Sequence, residues 1–174
     1  MALGVPITGC HTAIQLRFGD QADPEEIEHM TITPYLLYED VSGALRFLSK
    51  AFGFRKCGAS MKGPDGKLNH AAMQFRDGIV MMGYPGQKYK NPKRLGQSTQ
   101  SLYVIVDDVD KHFARARKAG AMILEEPQNT FYGHRRYGAE DPEGHQWYFA
   151  QEIKAGAARK RTARNSKPAR SKAS

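Results

Sequence analysis

Tyr35-Leu36-Leu37-Tyr38-Glu39-Asp40-Val41 is followed 68 residues later by Tyr103-Val104-Ile105-Val106-Asp107-Asp108-Val109. The same offset carries Leu45 onto Phe113, Lys50 onto Lys118 and Ala51 onto Ala119. A repeat at fixed spacing means two copies of one structural unit. Each copy opens with residues that are β-branched, aromatic or aliphatic, which reads as a strand. An aspartate then stands where a helix needs a cap, because its carboxylate can accept the free N–H groups of the first turn.

Beyond the strands, Val41, Ala44, Leu45, Leu48 and Phe52 recur at helical spacing, as do Val109, Phe113 and Ala116. Gly53 and Gly120 fall where a chain leaving a helix adopts a left-handed residue. Pro64-Asp65-Gly66 and Asp77-Gly78 mark hairpins in the first copy, and Pro142-Glu143-Gly144 marks one in the second. Each copy therefore reads β-α-β-β-β. One helix covers one sheet face, so the other face is expected to be buried by the twin module.

Two regions flank this repeat. Residues 1–29 are irregular and end in a polar stretch. Met30 opens a more regular segment, so it is either the true start of translation or preceded by a loosely attached extension. From Lys154 onward come eight basic residues and no acid: Lys154, Arg159, Lys160, Arg161, Arg164, Lys167, Arg170 and Lys172. Removing these eight from the 26 basic residues leaves 18, matched by 18 acids, so the net charge of +8 belongs to the tail. The tail lacks large apolar residues to offset its ordering entropy and is expected to be disordered. Its charges suit weak, salt-dependent contact with nucleic acid, or simply a solvated end.

No run approaches the roughly 18 apolar residues that span a bilayer, and the first ten residues lack a basic start for a signal peptide. Cys10 and Cys57 make no disulfide framework and lack metal-ligand spacing. A soluble cytoplasmic protein is the expectation, without a membrane partner.

Three segments carry a resemblance: TPYLLYEDVSGALRFLSKAFGF (33–54), SLYVIVDDVDKHFARARKAGA (101–121) and YGHRRYGAEDPEGHQWYFAQE (132–152). They resemble the vicinal oxygen chelate superfamily, which groups glyoxalase I, extradiol dioxygenases, fosfomycin-resistance enzymes and bleomycin-resistance proteins. The last segment, with its Asp141-Pro142-Glu143-Gly144-His145 turn, is the most specific. The resemblance implies an α+β fold of two tandem βαβββ modules, about 31–84 and 99–153, within a domain spanning 30–153. It implies a cupped eight-stranded mixed sheet whose concave face holds a metal or ligand, and often a homodimer.

Metal-dependent members place His, Gln or Glu at four cavity-facing positions. Carried over, these fall on Thr33, about Met81, Ser101 and Tyr148, none of them a usual ligand for a catalytic divalent metal. No metal or other cofactor is therefore expected. His70 and His134 form the one noncanonical alternative, and His145 is read as bonding the backbone of its turn.

By strand alternation and the implied geometry, Thr33, Tyr35 and Leu37 face inward, as do Ser101, Tyr103 and Ile105, and Gln146, Tyr148 and Ala150. Trp147 and Phe149 face the other way, beneath a helix. In Tyr132-Gly133-His134-Arg135-Arg136-Tyr137, alternation aims Arg135 and Tyr137 to one face and His134 and Arg136 to the other. One arginine then points at the pocket, to hold a carboxylate or phosphate, or else ion-pairs with Glu140, Asp141 or a dimer partner. The expected ligand-binding set is Thr33, Tyr35, Ser101, Tyr103, Arg135, Arg136, Tyr137 and Tyr148. No nucleophile with an adjacent base is visible.

The leading expectation is a metal-independent protein of the bleomycin-resistance type that binds an aromatic or amphipathic small molecule. A glyoxalase- or dioxygenase-like enzyme with a noncanonical site is the alternative.

Overall fold

The computed structural model describes residues 32–153, so Met30, the N-terminal segment and the basic tail lie outside the described residues. The element order repeats as expected. The first module is β1 (Tyr35–Leu37), α1 (Val41–Phe47), a π-helical turn (Leu48–Phe52), β2 (Arg55–Lys62), β3 (Leu68–Phe75) and β4 (Gly78–Gly83). The second is β5 (Ser101–Ile105), α3 (Val109–Lys118), β6 (Met122–Asn129), β7 (His134–Glu140) and β8 (Gln146–Glu152). A short helix, α2 (Pro92–Leu95), interrupts the connection and was not legible as a helix from the sequence.

The eight strands form two four-stranded mixed sheets, ordered β1-β4-β3-β2 and β5-β8-β7-β6. In each, the opening strand runs parallel to the last and the remaining pairs are antiparallel. The capping aspartates do what their positions require: Asp40 accepts from Gly43 N–H at 2.9 Å and Asp108 from Lys111 N–H at 3.0 Å. Gly53 and Gly120 both take positive φ, 82° and 91°.

The modules meet differently from the expectation that each buries the other's open sheet face. They are fused through their helix-side faces instead. Phe52, at the end of the π turn, lies 5.6 Å from Trp147 and 4.7 Å from Phe149 of β8, ring centre to ring centre. Phe54 adds an edge contact with Trp147 at 5.4 Å. All four rings are buried, so Trp147 and Phe149 turn away from the concave face as alternation predicts. Their main aromatic neighbours, however, include the other module's rings. Each such side chain contributes about 1.5–3 kcal/mol through the water it sheds.

Polar contacts stitch the same seam. His112 of α3 bonds Phe52 O through Nε2 at 3.0 Å and Tyr137 Oη through Nδ1 at 2.7 Å. A carbonyl only accepts, so Nε2 carries the proton and Nδ1 accepts from the tyrosine. The imidazole is thus held neutral, and burial lowers its pKa below the ordinary 6.5. Arg76, in the β3–β4 turn, ion-pairs with Asp107 of the second module. The β7–β8 turn reciprocates, as Glu143 accepts from Glu39 and Asp40 N–H at 2.7 and 2.8 Å. The most specific sequence motif is therefore a clamp between modules.

Candidate functional site

The helix-side faces being spent on the core, the concave faces are left open. Tyr35 is 48% exposed and Tyr103 45%, and Leu37 and Ile105 are also exposed, whereas the alternate residue Leu36 is buried and Val104 half-buried. The expected inward rows Thr33/Tyr35/Leu37 and Ser101/Tyr103/Ile105 are thus the ones turned away from the core, with Thr33 half-buried just before β1.

Register brings further residues onto these faces. Tyr35 pairs with Met81 and Leu37 with Gly83, and Gly83 pairs in turn with His70. Tyr35 leans across Gly83 so closely that a Cβ there would stand 2.3 Å from its hydroxyl oxygen. That passage lets Tyr35 Oη reach His70 Nδ1 at 2.9 Å. In the second module Tyr148 lies over Gly138 in the same way, where a Cβ would meet Tyr148 Cε1 at 2.9 Å. Tyr103 Oη meets His134 Nδ1 at 2.8 Å. Each sheet therefore carries one phenol–imidazole pair on its open face.

Around Tyr103 the surface is aromatic and polar. Tyr132 lies 5.4 Å from the His134 ring at a steep angle, and Phe131 beside it, in the loop between β6 and β7, is fully exposed. Partial burial, and after it the Tyr132 phenol, push the Tyr103 hydroxyl up to about 12. It is therefore a neutral hydrogen-bonding group at physiological pH, suited to binding and unsuited to removing a proton.

The two arginines separate by alternation. Arg136 is on the concave face, its guanidinium 4.7 Å over the Tyr148 ring and 3.0 Å from Glu125. Its Nε is buried without a hydrogen-bond partner. Arg135 points to the helix side, where Asp110 of α3 takes it through two bonds of 2.9 and 2.7 Å. The expectation that Arg135 contacts ligand is corrected, since its fork is spent on α3. Tyr137 is corrected likewise: it is fully buried, with its hydroxyl on His112. The ion-pair partners expected for the arginines, Glu140 or Asp141, are replaced by Glu125 and Asp110.

Ser101 and Tyr103 also line a cleft of about 480 Å³ between β5 and the β3–β4 turn, together with Pro34, Ile79 and Trp147. Its mixed apolar and hydroxyl walls and its volume suit a small molecule.

The four positions at which relatives would hold a metal carry Thr33, Met81, Ser101 and Tyr148, and these residues do not fit a divalent cation. His70 and His134 are each committed to the tyrosine of their own sheet. Among the described residues no three His, Cys, Asp or Glu side chains gather as a metal-binding group. No helix among them is long and apolar enough to cross a membrane.

Sequence reading found the tyrosines through the repeat but missed their partners. The histidines are 64 residues apart, not 68, so the offset that pairs Tyr35 with Tyr103 does not pair His70 with His134. Glu125 was missed because only the cross-strand register shows it beside Gly138.

Residues 26–149 match the family model described as the Glyoxalase/Bleomycin resistance protein/Dioxygenase superfamily. An uncharacterized protein of Mycobacterium bovis is 34% identical over 128 residues, 71% of this chain and 84% of that protein. The crystal structure of TioX from Micromonospora sp. ML1 is also 34% identical, covering 71% of this chain and 97% of that one, with a TM-score of 0.55. The fosfomycin resistance protein FosX from Listeria monocytogenes shares the fold at 12% identity, covering 70% and 92%, with a TM-score of 0.53.

Proposed function

Since the chain belongs to the Glyoxalase/Bleomycin resistance protein/Dioxygenase superfamily, we propose that it is one of the members that bind a small molecule without a metal. The ligand is aromatic or amphipathic and lies on the concave faces. The observation that carries this reading is the composition of those faces. They offer Tyr35, Leu37, Tyr103, Tyr148 and Ile105, with two phenol–imidazole pairs, where a metal enzyme needs converging carboxylates and imidazoles. Ring faces supply stacking surface and the hydroxyls and His nitrogens supply orientation.

In this reading the ligand-contacting set is Thr33, Tyr35, Ser101, Tyr103, Arg136 and Tyr148. Arg136 acts through the flat guanidinium stacked on Tyr148 more than through its charge, because Glu125 already balances it. A homodimer suits the exposed faces, since a second copy covers apolar surface that a lone chain leaves in water. The protein acts in the cytoplasm.

The test is equilibrium binding of an aromatic fragment set to the full chain, before and after Tyr103→Ala. Loss of a ring at the centre of a binding face costs about tenfold or more in affinity. Hits that bind the variant unchanged would place the ligand elsewhere.

A further inference from the structure

A second polar centre lies off the concave face, in the clamp between modules. Asp141 and His145 are both buried. The carboxylate accepts from Tyr38 Oη at 2.7 Å, from Trp147 Nε1 at 3.3 Å and from the His145 backbone N–H at 3.1 Å. Its oxygens also stand 3.3 and 3.4 Å from His145 Nδ1. The Tyr38 ring, 4.4 Å from the imidazole, fixes its tilt. Burial pushes the carboxyl of Asp141 up, but the bonds from His145 and Tyr38 outweigh it and hold the group below its usual value. It therefore stays an anion and an acceptor.

A carboxylate at Nδ1 places the ring proton there and leaves the lone pair on Nε2. Nε2 has no hydrogen-bond partner among the described residues, and it is not sealed in the core. His145 lines a cleft of about 230 Å³ between β1 and the connection that carries α2, together with Tyr35, Leu37, Tyr89, Lys90 and Ser98. Lys90 is exposed at the rim of the cleft. A clamp that served packing alone would need no oriented, accessible acceptor at its end.

We propose that this cleft is a binding site for a small organic acid, a carboxylic acid or acidic phenol, with His145 as the recognition residue and Asp141 as its positioning residue. An acid that keeps its O–H gives that proton to Nε2, and a carboxylate already ionised in water binds with one proton taken from solvent. Either way one O–H bond breaks and one N–H bond forms, leaving an imidazolium between the Asp141 carboxylate and the bound oxyanion. The Lys90 ammonium adds attraction at the rim. The volume is below the 300–1,000 Å³ usual for drug-sized ligands, so the site takes a single-ring acid or smaller. The cleft shares Tyr35 and Leu37 with the first concave face, but its recognition residue His145 lies off that face, so the site stands whether or not a ligand is held at Tyr103.

Benzoate is the probe. The full chain labelled with ¹⁵N-histidine is titrated at fixed pH and ionic strength, following the ring nitrogens by two-bond ¹H–¹⁵N NMR. The expected result is a saturable movement of the His145 Nε2 signal, with His134 nearly still. Benzamide, uncharged and of similar shape, should bind at least tenfold more weakly. In a uniformly ¹⁵N-labelled sample, His145→Asn should abolish the benzoate-induced shifts of the Ser98–Gln100 amides. Lys90→Gln, a surface change that leaves the fold intact, should weaken benzoate several-fold and keeps the test valid should the His145 variant fail to fold. A His145 signal that stays put up to the solubility limit would overturn the proposal. So would equal affinity for benzamide, or cleft-amide shifts unchanged in either variant.

Discussion

His112 and Asp141 show how single groups at the seam set conditions on this fold. His112 is neutral between Phe52 O and Tyr137, and burial lowers its pKa from 6.5. The unfolded chain therefore binds a proton at a pH where the folded chain does not. The stability this represents is complete above about pH 6.5 and is lost as pH falls through the lower folded value. Thermal melts between pH 7.5 and 5 should show a falling midpoint, and His112→Gln should flatten that slope. Asp141→Asn keeps the shape but turns an acceptor that serves four groups into an amide with a donor facing Tyr38 or His145. A cost of about 3 kcal/mol is expected from denaturant unfolding. A loss below about 1 kcal/mol would mean that the clamp contributes little.

The helices and strands explain which residues could be read in advance. The opening strands, the capped helices and the closing strands were legible because each depends on local periodicity and on a cap or turn residue within a few positions, as with Asp40, Asp108 and the Pro142-Glu143-Gly144 turn. Alternation also separated Arg135 from Arg136 but could not say which faced out. That is decided by Asp110, which sits one strand and one helix away. Tyr137 was misassigned for a related reason. Its hydroxyl looks like a ligand contact in sequence, yet the partner that satisfies it, His112, lies on a helix. The π-helical turn left no signal beyond Phe52 keeping helical spacing. That turn delivers Phe52 into the other module, so Phe52→Ala should cost about 3–5 kcal/mol, with both modules unfolding in one transition by circular dichroism and Trp147 fluorescence. On the opposite face, Gly83→Ala should displace Tyr35 from His70, since the added methyl occupies the path of the phenol. The expected readout is a changed His70 ring signal with a small loss of stability.

Taken as a whole, the chain spends its helix-side surfaces on joining two modules and presents two open faces of tyrosine, histidine and aliphatic groups. The repeat made the architecture legible, while the way the modules join was not, because nothing local distinguishes a sheet face covered by its twin from one left open. The proposed function depends on those faces binding a ligand with their own side chains and without a metal ion. The direct measurement is a thermal-shift screen of aromatic and amphipathic small molecules against the full chain held in excess EDTA. The expected result is a set of compounds that raise the melting temperature in chelator and lose that effect in Tyr103→Ala. Stabilisation that vanishes in EDTA and returns only with Zn²⁺, Ni²⁺ or Fe²⁺ would contradict it.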